Sequence, residues 1–413
     1  SPRRGNRPAA EKACLDGIKV LPASADPQVE ADLYNSLGQT YWHLAEWAQA
    51  IAIHQKSLAL KERVGDRYGI ATSYNNLGLV YYRMYEWDKS EECHQKSFAI
   101  REQIGDISGL AKSYNNLALI YRHLPDWGRA MDYHSKCLRV MERIGSSYEI
   151  AVTHTNIGYI HRARAEWDQA LWSYNRAIQI ALSIGARNVL LDTYIKKAEV
   201  YLSLGTLEDA ALFCQKAMEL ATELGGRLEL GRGINIQGRI YQMRRQWDRA
   251  MEALGQARDI FSQLDIKAGE AFILKNMADL HRELGELDRA EKLAAKALSL
   301  AQRVEEQQLA AEILLLQGEL REDRGESGFK HMDWALELAE RVGNDETAAA
   351  IHAAMARHHA AARRPAAAVE CYRRTLAVYK QSLRNISQPE LKSSYLFEPR
   401  RRQVLRDIKK LRR

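Results

Sequence analysis

Residues 71–78 read Ala71-Thr-Ser-Tyr-Asn-Asn-Leu-Gly78, and residues 111–118 read Ala111-Lys-Ser-Tyr-Asn-Asn-Leu-Ala118, 40 positions later. Each copy is followed by a tyrosine three positions on (Tyr81, Tyr121), a tryptophan nine on (Trp87, Trp127) and a small residue twelve on (Ser90, Ala130). The small slot that closes each string recurs every 40 residues, at Gly38, Gly78, Ala118, Gly158, Ala198, Gly238, Ala278 and Gly318. A fixed period of this length marks an array of short units, each burying its apolar face only against its neighbours.

Two antiparallel helices per repeat account for the pattern. Apolar residues such as Leu77, Val80 and Tyr81, then Cys93, Phe98 and Ile100, fall at helical rather than alternating spacing. Small residues at the first and twelfth-later slots let the two helices approach, and the aromatic slots fill the wedge between them. Gly65, Gly105, Gly145, Gly185 and Gly225 suit the left-handed residue that ends a helix. Asp66 and Asp106 suit the start of the next one. The fold class expected is all-α, a solenoid of eight to nine helix pairs.

Outward from that core the boundaries are readable. Residues 1–10, with Arg3, Arg4, Arg7 and two prolines, read as a disordered leader, and 11–27 as a partial repeat that suggests a fragment of a longer polypeptide. The regular array spans 28–380, losing two residues in its eighth repeat. Residues 381–413 read as a break at 385–389 and one basic amphipathic helix, with Val404, Leu405, Ile408 and Leu411 on one face, placed to cap the array's end.

The net charge of +7 is a local matter. Residues 400–413 hold eight Lys or Arg and one acid, and the rest of the chain is balanced. Nucleic acid is therefore not the expected partner; binding of nucleic acid or anionic lipid by this tail is kept as an alternative. No apolar run is long enough to span a bilayer. Five cysteines without a C-x-x-C spacing read as reduced thiols in a cytoplasmic protein.

With these slots in hand, residues 11–380 resemble the tetratricopeptide-repeat family. The repeat is longer than the roughly 34-residue form and its second helix closes on Gly-Asp. This variant is similar to the arrays of bacterial multidomain signalling ATPases and transcription regulators, and to those of kinesin light chain and spindle-orientation adaptors. The resemblance implies a right-handed superhelix whose concave face, built by the first helices, holds peptides or partner proteins.

The candidate peptide-binding residues follow that face. Asn35, Asn75 and Asn115 stand three positions before the small slot, and Asn76, Asn116 and Asn156 two before it. An amide offers both a donor and an acceptor to an extended backbone. Family members use asparagine at the second of these positions in that way. Asn76, Asn116 and Asn156 match it, whereas Ser36, Lys196, Ile236 and Leu316 do not, although Lys196 is kept among the candidate peptide-binding residues. The competing reading is that these amides brace one helix against the next. Trp42, His43, Tyr82, Arg83, Arg122, His123 and Arg162 make the first half of the groove basic and aromatic, suited to an acidic or phosphorylated segment. Glu199, Asp279, Glu283, Glu319, Glu322 and Asp323 make the second half acidic.

His54, His94 and His134 fill one slot in successive repeats. Stacked repeats hold equivalent atoms about 10 Å apart, whereas zinc ligands sit about 2 Å from the metal, so these rings read as structural. No phosphate-binding loop, H-E-x-x-H or G-x-S-x-G motif occurs. The expected function is a non-catalytic docking or sensor array without cofactor, metal or small-molecule substrate, part of a larger signalling protein. The alternative is a module that restrains an adjoining ATPase, kinase or regulator domain.

Overall fold

The computed structural model describes residues 7–21, 26–44, 46–84, 86–124 and 126–411, with side chains described from Lys12 onward except at 43 and 123. Every regular element among them is a helix. Two compact units divide the chain at Ser146.

The first unit opens with α1 (Arg7–Val20), which leans on α2 (Pro27–Leu44). Three antiparallel pairs follow: α2 with α3 (Trp47–Val64), α4 (Arg67–Arg83) with α5 (Trp87–Ile104), and α6 (Ile107–His123) with α7 (Trp127–Ile144). Helix α1 takes in the last four residues of the stretch expected to be a leader. Pro8 near its start and Ala9-Ala10 are good residues for a first turn. Residues 1–6 of that expectation lie outside the described residues.

The signals for helix ends act as read. Gly65 and Gly105 adopt φ of 72° and 70°, and their amides close the preceding helix onto its own carbonyls. Asp66 and Asp106 then cap the next helix, accepting from the amides of Gly69 at 2.9 Å and Gly109 at 2.8 Å.

The small slot and the histidine slot explain each other. A Cβ placed on Gly38 would come within 2.6 Å of the His54 ring, and one on Gly78 within 2.7 Å of the His94 ring. Glycine at 38 and 78 thus gives the imidazole of the second helix room against the first, whereas His134 faces Ala118 in the same slot. Burial, and then the neighbouring Lys61, pushes the His54 pKa down to about 4. Burial followed by Arg101 takes His94 to about 3, and burial followed by Arg122 takes His134 to about 3. The tryptophan slot is more varied than a uniform core position. Trp167 is buried, while Trp47, Trp87, Trp127 and Trp247 are half-buried, each opening the second helix of its pair.

The second unit holds six pairs: α8 (Ser147–Ala163) with α9 (Trp167–Ser183), α10 (Arg187–Leu204) with α11 (Leu207–Leu224), α12 (Arg227–Met243) with α13 (Trp247–Gln263), α14 (Lys267–Glu283) with α15 (Leu287–Arg303), α16 (Gln307–Asp323) with α17 (Phe329–Val342), and α18 (Asp345–Ala361) with α19 (Pro365–Arg384). The shortened eighth repeat gives α17 only 14 residues. Successive first helices α8, α10, α12, α14, α16 and α18 touch one another, which puts them on the inner side of this unit.

After α19 the chain departs from the expectation of one terminal helix. Two short helices follow, α20 (Pro389–Phe397) and α21 (Pro399–Leu411), separated at Glu398, whose φ of −53° and ψ of 135° are extended. Pro399 explains the split, because the residue before a proline is pushed out of the helical region. Neither helix simply caps α19. Asn385 and Ser387 reach the start of α9: the Asp168 amide donates to the Asn385 carbonyl at 3.2 Å, and the Ser387 amide to Asp168 Oδ2 at 2.6 Å. Tyr174, Leu204, Tyr372, Ile386 and Tyr395 share one hydrophobic cluster. The second unit therefore closes on itself, its last residues packed against its first pairs. Only Val404 of the apolar face expected on α21 is buried; Leu405 and Leu411 remain 38% and 36% exposed.

Candidate functional site

In the first unit the asparagines sit on α2, α4 and α6, half-buried and in register. Asn76 Nδ2 donates to Asn35 Oδ1 at 2.8 Å, and Asn116 Nδ2 to Asn75 Oδ1 at 2.9 Å. The residue two before the small slot thus bonds to the residue three before it in the preceding repeat. The same bond recurs in the second unit, from Asn276 Nδ2 to Asn235 Oδ1 at 2.9 Å, where both residues are buried. The amides form a brace between first helices, and each keeps a second N–H and a second lone pair.

Beside this brace Arg83 is exposed and lies over the Trp42 ring, 5.3 Å from its centroid. Tyr82 meets Trp87 edge to face at 5.3 Å, and Arg122 is half-buried. His43 and His123 lie outside the described side chains.

The remaining candidates belong to the second unit. Asn156 is half-buried on α8. Arg162 faces Glu199 at 3.5 Å and lies over Tyr159, and Lys196 pairs with Asp192 one turn back. Each of these cations is thus answered by a carboxylate of its own unit.

The acidic residues expected in the second half of the groove fall on α10, α14 and α16, interlaced with bases. Lys275 bridges Asp279 at 3.0 Å and Glu312 at 3.4 Å. Glu319 pairs with Arg282 and with Arg357, and His358 reaches Glu322 at 2.9 Å. Into this field comes the start of α21. Arg400 Nη2 lies 3.1 Å from Asp279 Oδ1. Arg401 donates to the Ser203 carbonyl of α10 at 2.9 Å and to Glu346 Oε2 of α18 at 3.0 Å. Its guanidinium also stacks on Tyr395, 3.7 Å from the centroid. Burial works against the Asp279 carboxylate, but Lys275 and Arg400 hold it ionised, with a pKa of about 2. Burial, then Glu346, pushes the Tyr395 hydroxyl up.

The sequence places Arg400 and Arg401 in a basic amphipathic terminal helix and marks no role for Glu346. The available signal was charge: an acidic stretch of inner face and a basic terminal segment in one otherwise balanced chain.

A stack of helix pairs whose inner side holds an extra segment of polypeptide is the architecture of a helical-repeat protein-interaction scaffold. Family profiles described as tetratricopeptide repeat match residues 29–103, 109–183, 191–223 and 273–307, together a little over half of the sequence. The chain belongs to the tetratricopeptide-repeat family. No curated protein sequence matches it significantly. Among solved structures it is similar to the apo form of RapI, with a TM-score of 0.56 at 16% identity over 67% of this chain and 99% of that one. Aspartyl phosphate phosphatase F from Bacillus subtilis gives 0.57 at 17% identity, over 67% and 72%. A Rap protein complexed with Competence and Sporulation Factor gives 0.54 at 16% identity, over 84% and 99%. At these identities the likeness is one of fold. No helix among the described residues is long and apolar enough to cross a membrane.

Proposed function

We propose that the chain is a non-catalytic scaffold that holds a partner polypeptide against the first helices of its repeats, as the docking or sensor array of a bacterial cytoplasmic signalling protein. The observation that carries this reading is α21. Its first residues lie on α10, α14 and α18, so the inner side of the second unit already serves as a seat for a polypeptide segment. The likeness to a Rap protein solved with Competence and Sporulation Factor supports the same use.

In the first unit the corresponding face carries Asn35, Asn75, Asn76, Asn115 and Asn116, flanked by Tyr82, Arg83 and Arg122. Exposed Arg83 over Trp42 presents a planar, charged donor suited to carboxylate or phosphate. An acidic or phosphorylated segment is the partner this face suits. Asn156, Arg162 and Lys196 extend the proposal into the second unit, the two cations with their charge already answered locally.

The test is a selection from a random peptide display library on the full chain, alongside an Arg83→Glu, Arg122→Glu variant. Enrichment of acidic peptides that the variant no longer retains is the expected result. Peptides without acidic bias, retained equally by both proteins, would refute the charge assignment. Occupancy of the second unit by its own chain also favours a second reading, in which the array is regulated by contacts in cis.

A further inference from the structure

The C-terminal segment is held in two unequal ways. Helix α20 is anchored by apolar burial: Ile386 just before it and Tyr395 within it are fully buried, and Leu391 nearly so. Helix α21 contributes one buried apolar side chain to the same cluster, Val404, with Ile408 partly buried against it, and otherwise holds on through Arg400 and Arg401. Between them lie Glu398, in extended backbone, and Pro399. A pivot there lifts α21, with Val404 and Ile408, off the hydrophobic cluster while Leu391 and Tyr395 of α20 stay in it.

The seat of α21 is also underfilled. A cavity of about 240 Å³ is lined by Leu202, Arg239, Asp279, Glu346, Arg400 and Arg401. A second, of about 460 Å³, reaches Trp247, Lys275 and Pro399. A third, of about 400 Å³, lies by Glu319, Arg357 and Gln403. A segment held by two ion pairs and one buried apolar side chain at the edge of such cavities is an exchangeable occupant rather than a core element.

We propose that α21 is a removable cis occupant of a docking site on the inner side of the second unit, and that the same site takes a basic, arginine-pair-bearing segment of a partner protein in trans. The recognition chemistry is already set out by the cis segment. Asp279 receives the first arginine, and Glu346 with the Ser203 carbonyl receives the second. Tyr379 and Tyr395 offer aromatic faces to the second guanidinium, at 5.9 and 3.7 Å from their centroids. Removing Arg400 and Arg401 leaves Asp279, Glu346, Glu319, Glu312 and Glu283 facing cavities with fewer cations, a site biased towards basic ligands. The tail thereby keeps the site closed to weak competitors, because its effective concentration in cis exceeds that of a free segment.

This inference rests on the scaffold reading but concerns the inner side of the second unit and the opposite ligand charge, so the acidic-ligand assignment in the first unit can fail without it. The experiment measures binding of a fluorescent synthetic peptide of residues 398–411 to the full chain and to its Arg400→Glu, Arg401→Glu variant. The variant is expected to bind at least tenfold more tightly. Adding Asp279→Lys should abolish the gain, and a peptide with both arginines changed to glutamate should bind neither protein. Equal affinity for wild type and variant, or equal binding of the charge-reversed peptide, overturns the proposal. Hydrogen exchange on the wild-type chain guards against a misfolded variant. The amides of 402–411 should exchange at least tenfold faster than those of 391–397, and faster still with peptide present. A single common rate for both helices, unmoved by peptide, would contradict a removable α21.

Discussion

Arg401 on α21 and Glu346 on α18 meet at 3.0 Å across 55 positions of the chain. Glu346 Oε1 also accepts from the Tyr395 hydroxyl at 2.6 Å and from Ser382 Oγ at 2.7 Å. One carboxylate thus ties the ninth repeat to both terminal helices, and does so where Arg401 is only 11% exposed.

Changing Glu346 to Ala should therefore cost more than one surface ion pair. It removes the carboxylate from a guanidinium that keeps only carbonyl acceptors, and leaves a buried phenol and a buried hydroxyl without their acceptor, a loss of about 2–4 kcal/mol. Chemical denaturation should show the deficit, and hydrogen exchange should place it in the second unit. A loss within the range of an exposed pair, under about 1 kcal/mol, would show that Glu346 does not organise the closure.

The asparagine brace can be weighed by itself. A double-mutant cycle on Asn35 and Asn76, each changed to Ala, should give a coupling of about 1 kcal/mol. The single Asn76→Ala change should cost at least as much, since it leaves the half-buried Asn35 carbonyl without its donor. Zero coupling would mean that the amides meet without stabilising the stack, leaving ligand binding as their role.

Acid should destabilise the first unit through its buried histidines. His54, His94 and His134 have folded pKa values of about 4, 3 and 3, against about 6.5 in an unfolded chain. Below pH about 6.5 the unfolded chain binds protons that the folded rings refuse. Stability therefore falls as pH drops through that window, and levels off only once the folded rings titrate near pH 4 to 3. Tyr174 occupies the same slot, packed on Gly158, so His94→Tyr is a replacement the repeat already accepts. It should flatten the slope of stability against pH between about 6 and 4 by about one proton. An unchanged slope, followed by urea midpoints across pH, would show that His94 is not buried neutral.

The array was legible because its packing is local. A small residue facing a ring sixteen residues on, a glycine at φ near 70° and a helix start after it are each decided within one repeat, and the 40-residue period returns them in successive copies. The asparagine brace was half legible. The positions were clear, but whether an amide turns to a ligand or to its neighbour depends on the spacing of adjacent helices, which one repeat does not state. The closure of the second unit was not legible. It depends on Asp168 meeting Ser387 and on Tyr395 reaching the cluster around Tyr174, contacts made only after many small rotations between repeats accumulate. Residues 400–413 consequently read as a basic helix capping the array's end, with no sign that Arg400 and Arg401 turn inward to Asp279 and Glu346.

The most direct test of that closure is hydrogen exchange at the Ser387 amide and across the interior of α20 in the full chain. The Ser387 N–H donates to Asp168 Oδ2 at 2.6 Å, 219 positions away. The amide and the helix should be protected in wild type, and Asp168→Ala should release Ser387 while leaving the first unit unchanged. Exchange of Ser387 and α20 at the rate of an open chain in the wild-type protein would contradict a second unit closed by its own C-terminal segment.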